Sequence, residues 1–261
     1  MGDPLVRQES SALLPDAIPY CGPAPLPADL WFRWNLDPWL LLVLILVALA
    51  YLLGPARRTD GRGRSCFALG WVLLALIFVS PLCALTSALF AARVAHHLAM
   101  IGVAVPLLLL GLPRRNELLP AGPAALLHAL ALWFWHAPAP YAAALASDLL
   151  FWAMQASLFG TAWLFWQAVL AARSPGPAGL LALLGTVVQM GLLGALITFA
   201  PEPLYPPHLL VTAPFGLSAL EDQQLGGLIM WVPSILPYLI AALALMAHAM
   251  RRRVEGGSAS W

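Results

Sequence analysis

Seven long apolar stretches dominate this sequence, and each is long enough to cross a lipid bilayer as a helix. A spanning helix needs about 20 mostly apolar residues, because the hydrocarbon core is about 30 Å thick. The stretches lie at about residues 38–54, 66–86, 89–111, 121–138, 148–171, 178–199 and 223–249. Only 10% of all residues are charged and the mean hydropathy is +0.83, whereas a soluble domain carries roughly 25% charged residues. These values exclude a soluble enzyme, a nucleic-acid-binding domain and a disordered chain.

The apolar stretches are predicted to be helices rather than β-strands. Helices and closed β-barrels are the two structures that satisfy every backbone hydrogen bond inside a bilayer. Barrel strands are segments of about 10 residues that alternate in polarity, whereas the run from Trp39 to Leu53 is apolar without alternation. We therefore predict an all-α, polytopic membrane protein with seven transmembrane helices, numbered spans 1 to 7 in chain order.

The distribution of arginine predicts the orientation of the chain. All 13 basic residues are arginine, and ten of them lie in loops 1–2, 3–4 and 5–6 and in the C-terminal tail. Because short loops rich in basic residues stay in the cytoplasm, we expect the N-terminus outside and the C-terminus in the cytoplasm of a bacterial inner membrane. The predicted domains are a periplasmic tail at residues 1–35, the seven-helix domain at 36–250 and a cytoplasmic tail at 251–261. The tail has no signal-peptide pattern, so we expect it to be retained.

Side chains that bind soft metals collect at one depth of the predicted bundle. Span 3 enters from outside, so His96 and His97 lie about two turns below the outer surface and Met100 one turn deeper. Spans 2 and 4 end on the same side with Cys83 and His136. Thiolate and thioether ligands select Cu(I), and imidazole suits copper in general. These five residues form a candidate Cu(I) site, with His97 and His136 as the best ligands.

Each of these residues also has an ordinary structural interpretation. A histidine in a helix is often a hydrogen-bonded packing residue, and methionine fills irregular gaps in a core. His96 and His97 are neighbours that point about 100° apart on a helix, so at most one is expected to face a shared site. Cys83 has an alternative partner, because Cys21 also lies outside and the two can form a disulfide.

The start of span 7 carries a concentration of polar groups. Asp222 and Gln223 stand at its outer end, where a carboxylate suits the positive end of the helix dipole and caps free backbone N–H groups. Both are expected to orient this end of the helix. Arg93 on span 3 lies near the same surface, where its side chain can either extend to the lipid headgroups or form an ion pair with Asp222 or Glu221. We expect the ion pair, because acidic residues are otherwise scarce here.

Two prolines predict a bend in span 7. Pro233 and Pro237 lie two to four turns inside the membrane, and each removes a backbone hydrogen bond. A bent span 7 leaves a groove against spans 3 and 4 at the depth of Met230 and His97. We expect this groove to be the functional site, open to the outer side and closed to the cytoplasm.

Several of these segments resemble one known family. The most specific is the twelve-residue run from Asp222 to Pro233, D-Q-Q-L-G-G-L-I-M-W-V-P. The supporting segments are Trp34–Trp39, Ser80–Leu85, Ala95–Leu98, Trp135–Pro138 with Tyr141, and Pro203–Pro206. Together they resemble the CtaG-type (seven-helix) cytochrome c oxidase assembly factors, from about Tyr20 to Met246.

The resemblance implies a non-enzymatic inner-membrane protein that acts in the assembly of a haem–copper oxidase. It implies delivery or insertion of Cu(I) at the periplasmic side, with cytochrome c oxidase subunits, a periplasmic copper chaperone and the lipid bilayer as partners. The sequence departs from the family where Arg93, Phe151 and Gln155 stand at positions that are often histidine. These departures keep two alternatives open: a metal-free scaffolding subunit associated with the oxidase, and a copper permease.

Overall fold

A computed structural model describes residues 18–113, 117–171 and 177–258 of the chain. This described part is all-α, as the sequence predicts, and contains no strand. Residues 1–17 of the predicted tail lie outside it, as do Arg114, Arg115 and Arg173. The helices are α1 (Pro38–Leu53), α2 (Gly61–Val79), α3 (Pro81–Ala88), α4 (Phe90–Leu110), α5 (Ala121–His136), α6 (Pro138–Ala146), α7 (Asp148–Ala171), α8 (Pro177–Thr198), α9 (Ala219–Trp231) and α10 (Ile235–Ser258).

Six helical segments of the described residues are long and apolar enough to cross a bilayer. They correspond to predicted spans 1, 2, 3, 5, 6 and 7, and they are Pro38–Arg58, Gly61–Val79, Phe90–Leu110, Asp148–Leu170, Ala178–Thr198 and Ala219–Arg251. Predicted span 4 is α5, whose 16 residues are fewer than the about 20 that a crossing requires. The chain is a multi-pass membrane protein.

Span 2 ends earlier than the sequence predicts. The helix α2 stops at Val79, and α3 begins at Pro81. A residue before proline is pushed out of the helical conformation. Accordingly, Ser80 is extended, and its hydroxyl accepts a hydrogen bond from the backbone N–H of Leu82. Cys83 therefore lies on a separate short helix and not at the end of span 2.

The predicted bend in span 7 is a complete break in the helix. α9 ends at Trp231 and α10 begins at Ile235, with Pro233 between them. Proline donates no backbone hydrogen bond, and the hydroxyl of Ser234 donates to the carbonyl of Met230 at this point. Span 7 thus consists of a short outer helix and a long helix that continues through residue 258.

The middle of α4 is wound as a π-helix at Ala99–Ala104. Pro106 follows this segment. A proline inside a helix lacks the N–H that would pair with a carbonyl one turn earlier, and its ring crowds that carbonyl. The carbonyl of Ile101 instead accepts a hydrogen bond of 2.8 Å from the indole Nε1 of Trp166 on α7. Packing against α7 therefore satisfies a backbone group that the proline leaves without a partner.

Two adjacent glycines let α9 approach two helices at once. A Cβ atom on Gly226 would lie 2.5 Å from the ring of Phe90 on α4, and one on Gly227 would lie 2.7 Å from the carbonyl oxygen of Gly194 on α8. Neighbouring residues of a helix point about 100° apart, so the pair faces α4 on one side and α8 on the other. Close contact between backbones is a common way to pack helices in a bilayer.

Helix α1 lies at the edge of the bundle. Its buried residues are Leu40 and Tyr51, and most of its other apolar side chains are exposed. Two side-chain hydrogen bonds hold it to its neighbours: Trp71 Nε1 donates to the carbonyl of Leu44 at 3.1 Å, and Tyr51 Oη donates to the carbonyl of Gly111 at 3.1 Å. Such an exposed apolar surface is favourable against the acyl chains of a bilayer and unfavourable in water.

The segment before α1 is fastened to the rest of the protein by a covalent bond. Cys21 and Cys83 form a disulfide that joins this segment to α3. Nearby, the backbone N–H of Asn35 donates to the carbonyl of Val79 at 2.9 Å. The disulfide that the sequence leaves as an alternative is therefore present, and it holds the start of α1 beside the end of α2 and α3.

We predict that Gly227→Ala destabilises the protein, whereas Gly185→Ala on α8 does not. Alanine favours a helix over glycine by about 0.8–1 kcal/mol, so the control should be neutral or slightly stabilising, since a Cβ atom at Gly185 meets nothing within 4 Å. At Gly227 the added methyl group forces α8 and α9 apart, at a cost of about 1–3 kcal/mol. Thermal unfolding in detergent measures the difference. Equal midpoints for the two variants would contradict the close α8–α9 contact.

Candidate functional site

The segments that the sequence places in an outer layer do meet at one end of the bundle. The carboxylate of Asp222 contacts the start of α4, Tyr205 of the loop before α9 donates to the carbonyl of His136 at 2.8 Å, and His208 lies 3.1 Å from the carbonyl oxygen of Ala88. These contacts join α3, α4, α5 and α9 with the loop between α8 and α9. The predicted site residues are therefore neighbours in space at this end.

Asp222 caps a helix other than its own. The N-cap position of α4 is Leu89, whose side chain makes no capping hydrogen bond. The first N–H groups of a helix have no partner within it. The two carboxylate oxygens of Asp222 accept those of Phe90 at 2.7 Å and Ala91 at 3.1 Å. Asp222 is fully buried, so this contact ties α9 to α4 inside the protein.

The predicted ion pair between Arg93 and an acidic residue of span 7 is wrong. The guanidinium of Arg93 points the other way and donates to the carbonyl of Thr86 at 3.2 and 3.1 Å and to its hydroxyl at 3.2 Å. Its Cζ atom also lies 5.8 Å from the ring centres of Tyr141 and Phe151. The carboxylate of Asp222 instead accepts the backbone N–H groups of Phe90 and Ala91.

The first turn of α9 is capped by Ser218, four residues before Asp222. The Ser218 hydroxyl accepts the N–H of Glu221, and the Glu221 carboxylate accepts the N–H of Ser218, which is a capping box. The prediction that Asp222 caps span 7 is therefore wrong. The pattern Ser-x-x-Glu before an apolar run is a known signal for a helix start. It would have located this start from the sequence.

Gln223 fastens the outer loop to α9. Its Oε1 accepts the backbone N–H of Leu204 at 2.5 Å, while its Nε2 donates to the carbonyls of Ile197 at 3.1 Å and Glu202 at 3.4 Å. The amide thus bridges the end of α8 and the loop that follows. The side chain of Gln223 therefore fastens this loop, whose prolines donate no backbone hydrogen bonds.

Four buried aromatic rings pack together at the end of the bundle where these segments meet: Phe90, Tyr141, Tyr205 and His208. Phe90 and Tyr205 stack with ring centres 4.0 Å apart, and the hydroxyl of Tyr141 lies 2.6 Å from Nε2 of His208. Burial lowers the pKa of His208 to about 4, and the positive charge of Arg93 acts in the same direction. His208 is therefore neutral at pH 7, with Nδ1–H donating to Ala88 and Nε2 accepting from Tyr141.

Three imidazoles, two on α4 and one on α5, form a row. The ring centres of His96 and His97 are 5.8 Å apart, and those of His97 and His136 are 5.9 Å apart. All three side chains are buried. Nδ1 of His136 donates to the carbonyl of Leu132 at 2.7 Å, so its proton sits there and Nε2 keeps a free lone pair. Both ring nitrogens of His97 lack hydrogen-bond partners among the described residues.

His96 points away from this pair and toward α2. Its ring stands edge-on to Phe78 with centres 4.7 Å apart, and both of its nitrogens lack hydrogen-bond partners in the described part of the chain. Met100 is fully buried one turn further along α4, and Met230 packs in the apolar cluster of Phe90 and Tyr141. The geometry therefore brings His97 and His136 together and leaves Met230 a core residue.

Cys83 does not offer the soft ligand that the sequence suggests. Its sulfur is bonded to Cys21, and a disulfide sulfur is not the thiolate that binds metals. Among the described residues, no group of three or more His, Cys, Asp or Glu side chains is placed to hold a metal ion. The arrangement can offer two imidazole nitrogens, with a thioether nearby, for a cation of low coordination number.

One family comparison bears directly on these residues. The model of the cytochrome c oxidase caa3 assembly factor family (Caa3_CtaG) matches residues 47–122 and 118–252. Together the two segments cover well over half of the 261 residues. The chain belongs to the Caa3_CtaG family. No curated protein and no solved structure matches it.

The groove of this Caa3_CtaG protein is expected between span 7 and spans 3 and 4, and Gly226 packs closely against Phe90 at one end of that interface. A cavity of about 770 Å³ lies between α1 and the wall formed by α2, α4 and α7. Of the proposed ligands, Met100 lines it. Sequence reasoning missed this cavity because apolar lining residues look like any other membrane-facing residues.

We predict that Asp222→Ala strongly destabilises this Caa3_CtaG protein. The substitution leaves the N–H groups of Phe90 and Ala91 buried without a partner, at a cost of about 1–3 kcal/mol for each such group. Asp222→Asn keeps one acceptor oxygen and should fall between alanine and wild type. Glu221→Ala, at an exposed neighbouring carboxylate of the capping box, should destabilise the protein less than Asp222→Ala does. Yield and melting temperature in detergent test the order, and a melting temperature of Asp222→Ala at or above that of Glu221→Ala would contradict the buried cap.

Proposed function

We propose that this protein carries Cu(I) as cargo at the outer end of its bundle and releases it to the copper centre of a cytochrome c oxidase subunit during assembly. The observation that carries the proposal is the buried pair of His97 and His136, whose ring centres are 5.9 Å apart. The partner is inferred from the family, whose description is a cytochrome c oxidase caa3 assembly factor. In this role the protein moves an ion between sites and performs no covalent chemistry, so it is not an enzyme.

The chemistry of the pair suits a soft monovalent cation. Imidazole nitrogens bind copper well, and a thioether favours Cu(I) over harder ions. The carbonyl of Leu132 fixes the ring of His136 through Nδ1, and an outer partner of this kind orients a histidine and raises its basicity as a ligand. Met100 and His96 lie on the same helix as His97 and supply further contacts as the ion enters or leaves.

Arg93 gives a reason why the ion would be held only transiently. It stands one turn before His97, and residues four apart on a helix have Cβ atoms about 5–6 Å apart. Like charges repel, and they do so more strongly in the protein interior than in water. The guanidinium is buried and contacts Thr86, Tyr141 and Phe151. Its charge therefore weakens binding of any cation at the histidines, which suits a carrier whose cargo must leave.

Two features support the location and orientation in this proposal. The disulfide between Cys21 and Cys83 lies at the histidine end of the bundle, and structural disulfides persist in oxidising compartments such as the periplasm. Arg57, Arg58, Arg62 and Arg64 lie between α1 and α2, at the opposite end, and such loops stay in the cytoplasm. We propose a bacterial inner-membrane protein with α5 as a seventh span, a periplasmic N-terminus and a periplasmic copper chaperone as donor.

A metal-free scaffolding subunit is the second candidate function. The buried charge of Arg93 beside the histidines favours a scaffold without metal. The small number of ligands favours it too, because no group of three or more His, Cys, Asp or Glu side chains among the described residues is placed to hold a metal ion. In this case the outer polar layer is a rigid docking surface for oxidase subunits. The two candidates differ in one measurable property, which is whether His97 and His136 are needed for copper.

We predict that the purified protein binds about one Cu(I) per chain under reducing conditions. His97→Ala with His136→Ala should lose most of this binding. His128→Ala is the matched control, because His128 is equally buried but its Nδ1 lies 3.0 Å from the hydroxyl of Thr161. Competition with a chromophoric Cu(I) chelator measures the affinity. Equal copper in the wild type and the double variant would remove the histidine pair as the site and leave the assembly role standing.

We predict that cells carrying the double variant assemble an oxidase that contains haem but is deficient in copper. The measurement is the copper-to-haem ratio of the purified oxidase, alongside the amount of the assembly factor in the membrane. If the scaffolding function is correct, the ratio stays normal in the double variant, while deletion of the whole chain lowers the yield of oxidase. His128→Ala again serves as the control.

A further inference from the structure

The loop between α1 and α2, residues 54–64, carries a concentration of positive charge that the copper proposal does not use. It contains Arg57, Arg58, Arg62 and Arg64 and a single acidic residue, Asp60, so four positive charges and one negative charge give a net charge of +3. All four arginines are exposed. None of their side chains forms a hydrogen bond or an ion pair with another described residue. These charges are therefore available to a partner outside the chain.

The arginines begin where the lipid-facing surface of α1 ends. The apolar segment that can cross a bilayer runs from Pro38 to Arg58. Its last leucines, Leu52 and Leu53, are 61% and 66% exposed, and exposed leucine is favourable against acyl chains. The arginines that follow lie where acyl chains give way to headgroups, and arginine side chains near helix ends extend into this polar layer. Phospholipid headgroups are therefore the immediate surroundings of the loop.

The backbone of the loop is held against the end of α4. Thr59 Oγ1 donates to the carbonyl of Pro55 at 2.8 Å and lies 3.4 Å from the carbonyl oxygen of Gly111. A Cβ atom on Gly111 would lie 2.8 Å from the carbonyl oxygen of Gly63, so the two backbones are in direct contact. Because the backbone is already fixed, a bound molecule orders only arginine side chains, and this lowers the entropic cost of binding.

The one carboxylate of the loop caps a helix and leaves the arginines unpaired. Asp60 accepts the N–H of Gly63 at 2.7 Å, at the start of α2. Guanidinium groups are always charged and bind phosphate through two parallel hydrogen bonds. A zwitterionic lipid also carries a cationic group, which the arginines repel. A phospholipid with a net negative charge therefore suits both the charge of the loop and its depth in the membrane.

We propose that the α1–α2 loop binds anionic phospholipids through its four arginines, which contact the headgroup phosphates while the acyl chains lie along the exposed face of α1. Arg58 and Arg62 are four residues apart, so their Cα atoms are at most about 14 Å apart. Headgroups bound here thus join the end of α1 to the start of α2. Because α1 has only two buried residues among its 16, these lipids stabilise its position beside the bundle.

The test is a titration of the full chain in a neutral detergent with phosphatidylglycerol or with phosphatidylcholine, in which native mass spectrometry counts the lipids bound. We expect phosphatidylglycerol to bind at least about tenfold more tightly. Arg57→Gln with Arg58→Gln should remove most of this preference, and Arg58→Gln alone should weaken phosphatidylglycerol binding about fivefold. Arg33→Gln is the matched control and should bind like the wild type, because Arg33 lies before α1 and donates to the carbonyl of Pro23 at 3.0 Å.

Free phosphate separates a lipid site from a simple anion site. Inorganic phosphate at the concentration of the lipid should not displace it, because phosphate has no acyl chains to contact α1. Displacement by phosphate would overturn the lipid site. Equal binding of the two lipids by the wild type would overturn the proposal and leave an acidic protein surface as the partner of the loop.

The variants separate the role of these arginines from a general effect of charge. Equal weakening in Arg58→Gln and Arg33→Gln would overturn the assignment to the loop, as would phosphatidylglycerol binding that Arg57→Gln with Arg58→Gln leaves unchanged. Melting temperatures without added lipid verify that each variant is folded. The copper-site variant His97→Ala with His136→Ala should bind phosphatidylglycerol normally, so failure of the copper proposal and failure of this one are distinguishable.

Discussion

A buried carboxylate holds the outer end of this bundle together. Asp222 lies on α9, yet its two oxygens cap the first turn of α4. The start of α4 follows Leu89, which offers no side-chain acceptor, so the position of α4 depends on a residue more than 130 positions later in the chain. His97 and Arg93 both lie on α4. Their placement relative to α5 therefore depends on a contact made far from either of them in the sequence.

The helices themselves follow from local properties of the sequence. Apolar runs of about 20 residues locate the six long helices, because a bilayer leaves few other ways to satisfy the backbone. The break between α9 and α10 also has a local cause, because Pro233 lies within it and donates no backbone hydrogen bond. The end of α2 at Val79 and the start of α9 at Ala219 were missed, although Ser80-Pro81 and the capping box at Ser218 carry local signals for both. The short length of α5 has the same kind of local cause: Pro120 precedes its start, and Ala137 before Pro138 is extended and ends it.

The contacts of the candidate site are less predictable, because they form between distant segments. The clustering of polar residues at one end followed from helix direction alone. The hydrogen-bond partners of these polar residues do not follow from helix direction. Opposite charges on Arg93 and Asp222 suggest an ion pair, yet the carboxylate accepts backbone N–H groups and the guanidinium donates to a backbone carbonyl. The orientation of His97 toward His136 depends on how α4 packs against α5. The cavity beside α1 exists because α1 does not pack closely against α2, α4 and α7 along its whole length. The hydrophobicity of the sequence does not predict how closely two helices pack.

The disulfide between Cys21 and Cys83 has a topological consequence. It closes a covalent ring of the chain that contains both α1 and α2. The ring closes when both cysteines reach the same side of the membrane, as they do when α1 crosses in one direction and α2 returns. The bond keeps the weakly packed α1 next to the bundle once this hairpin has inserted.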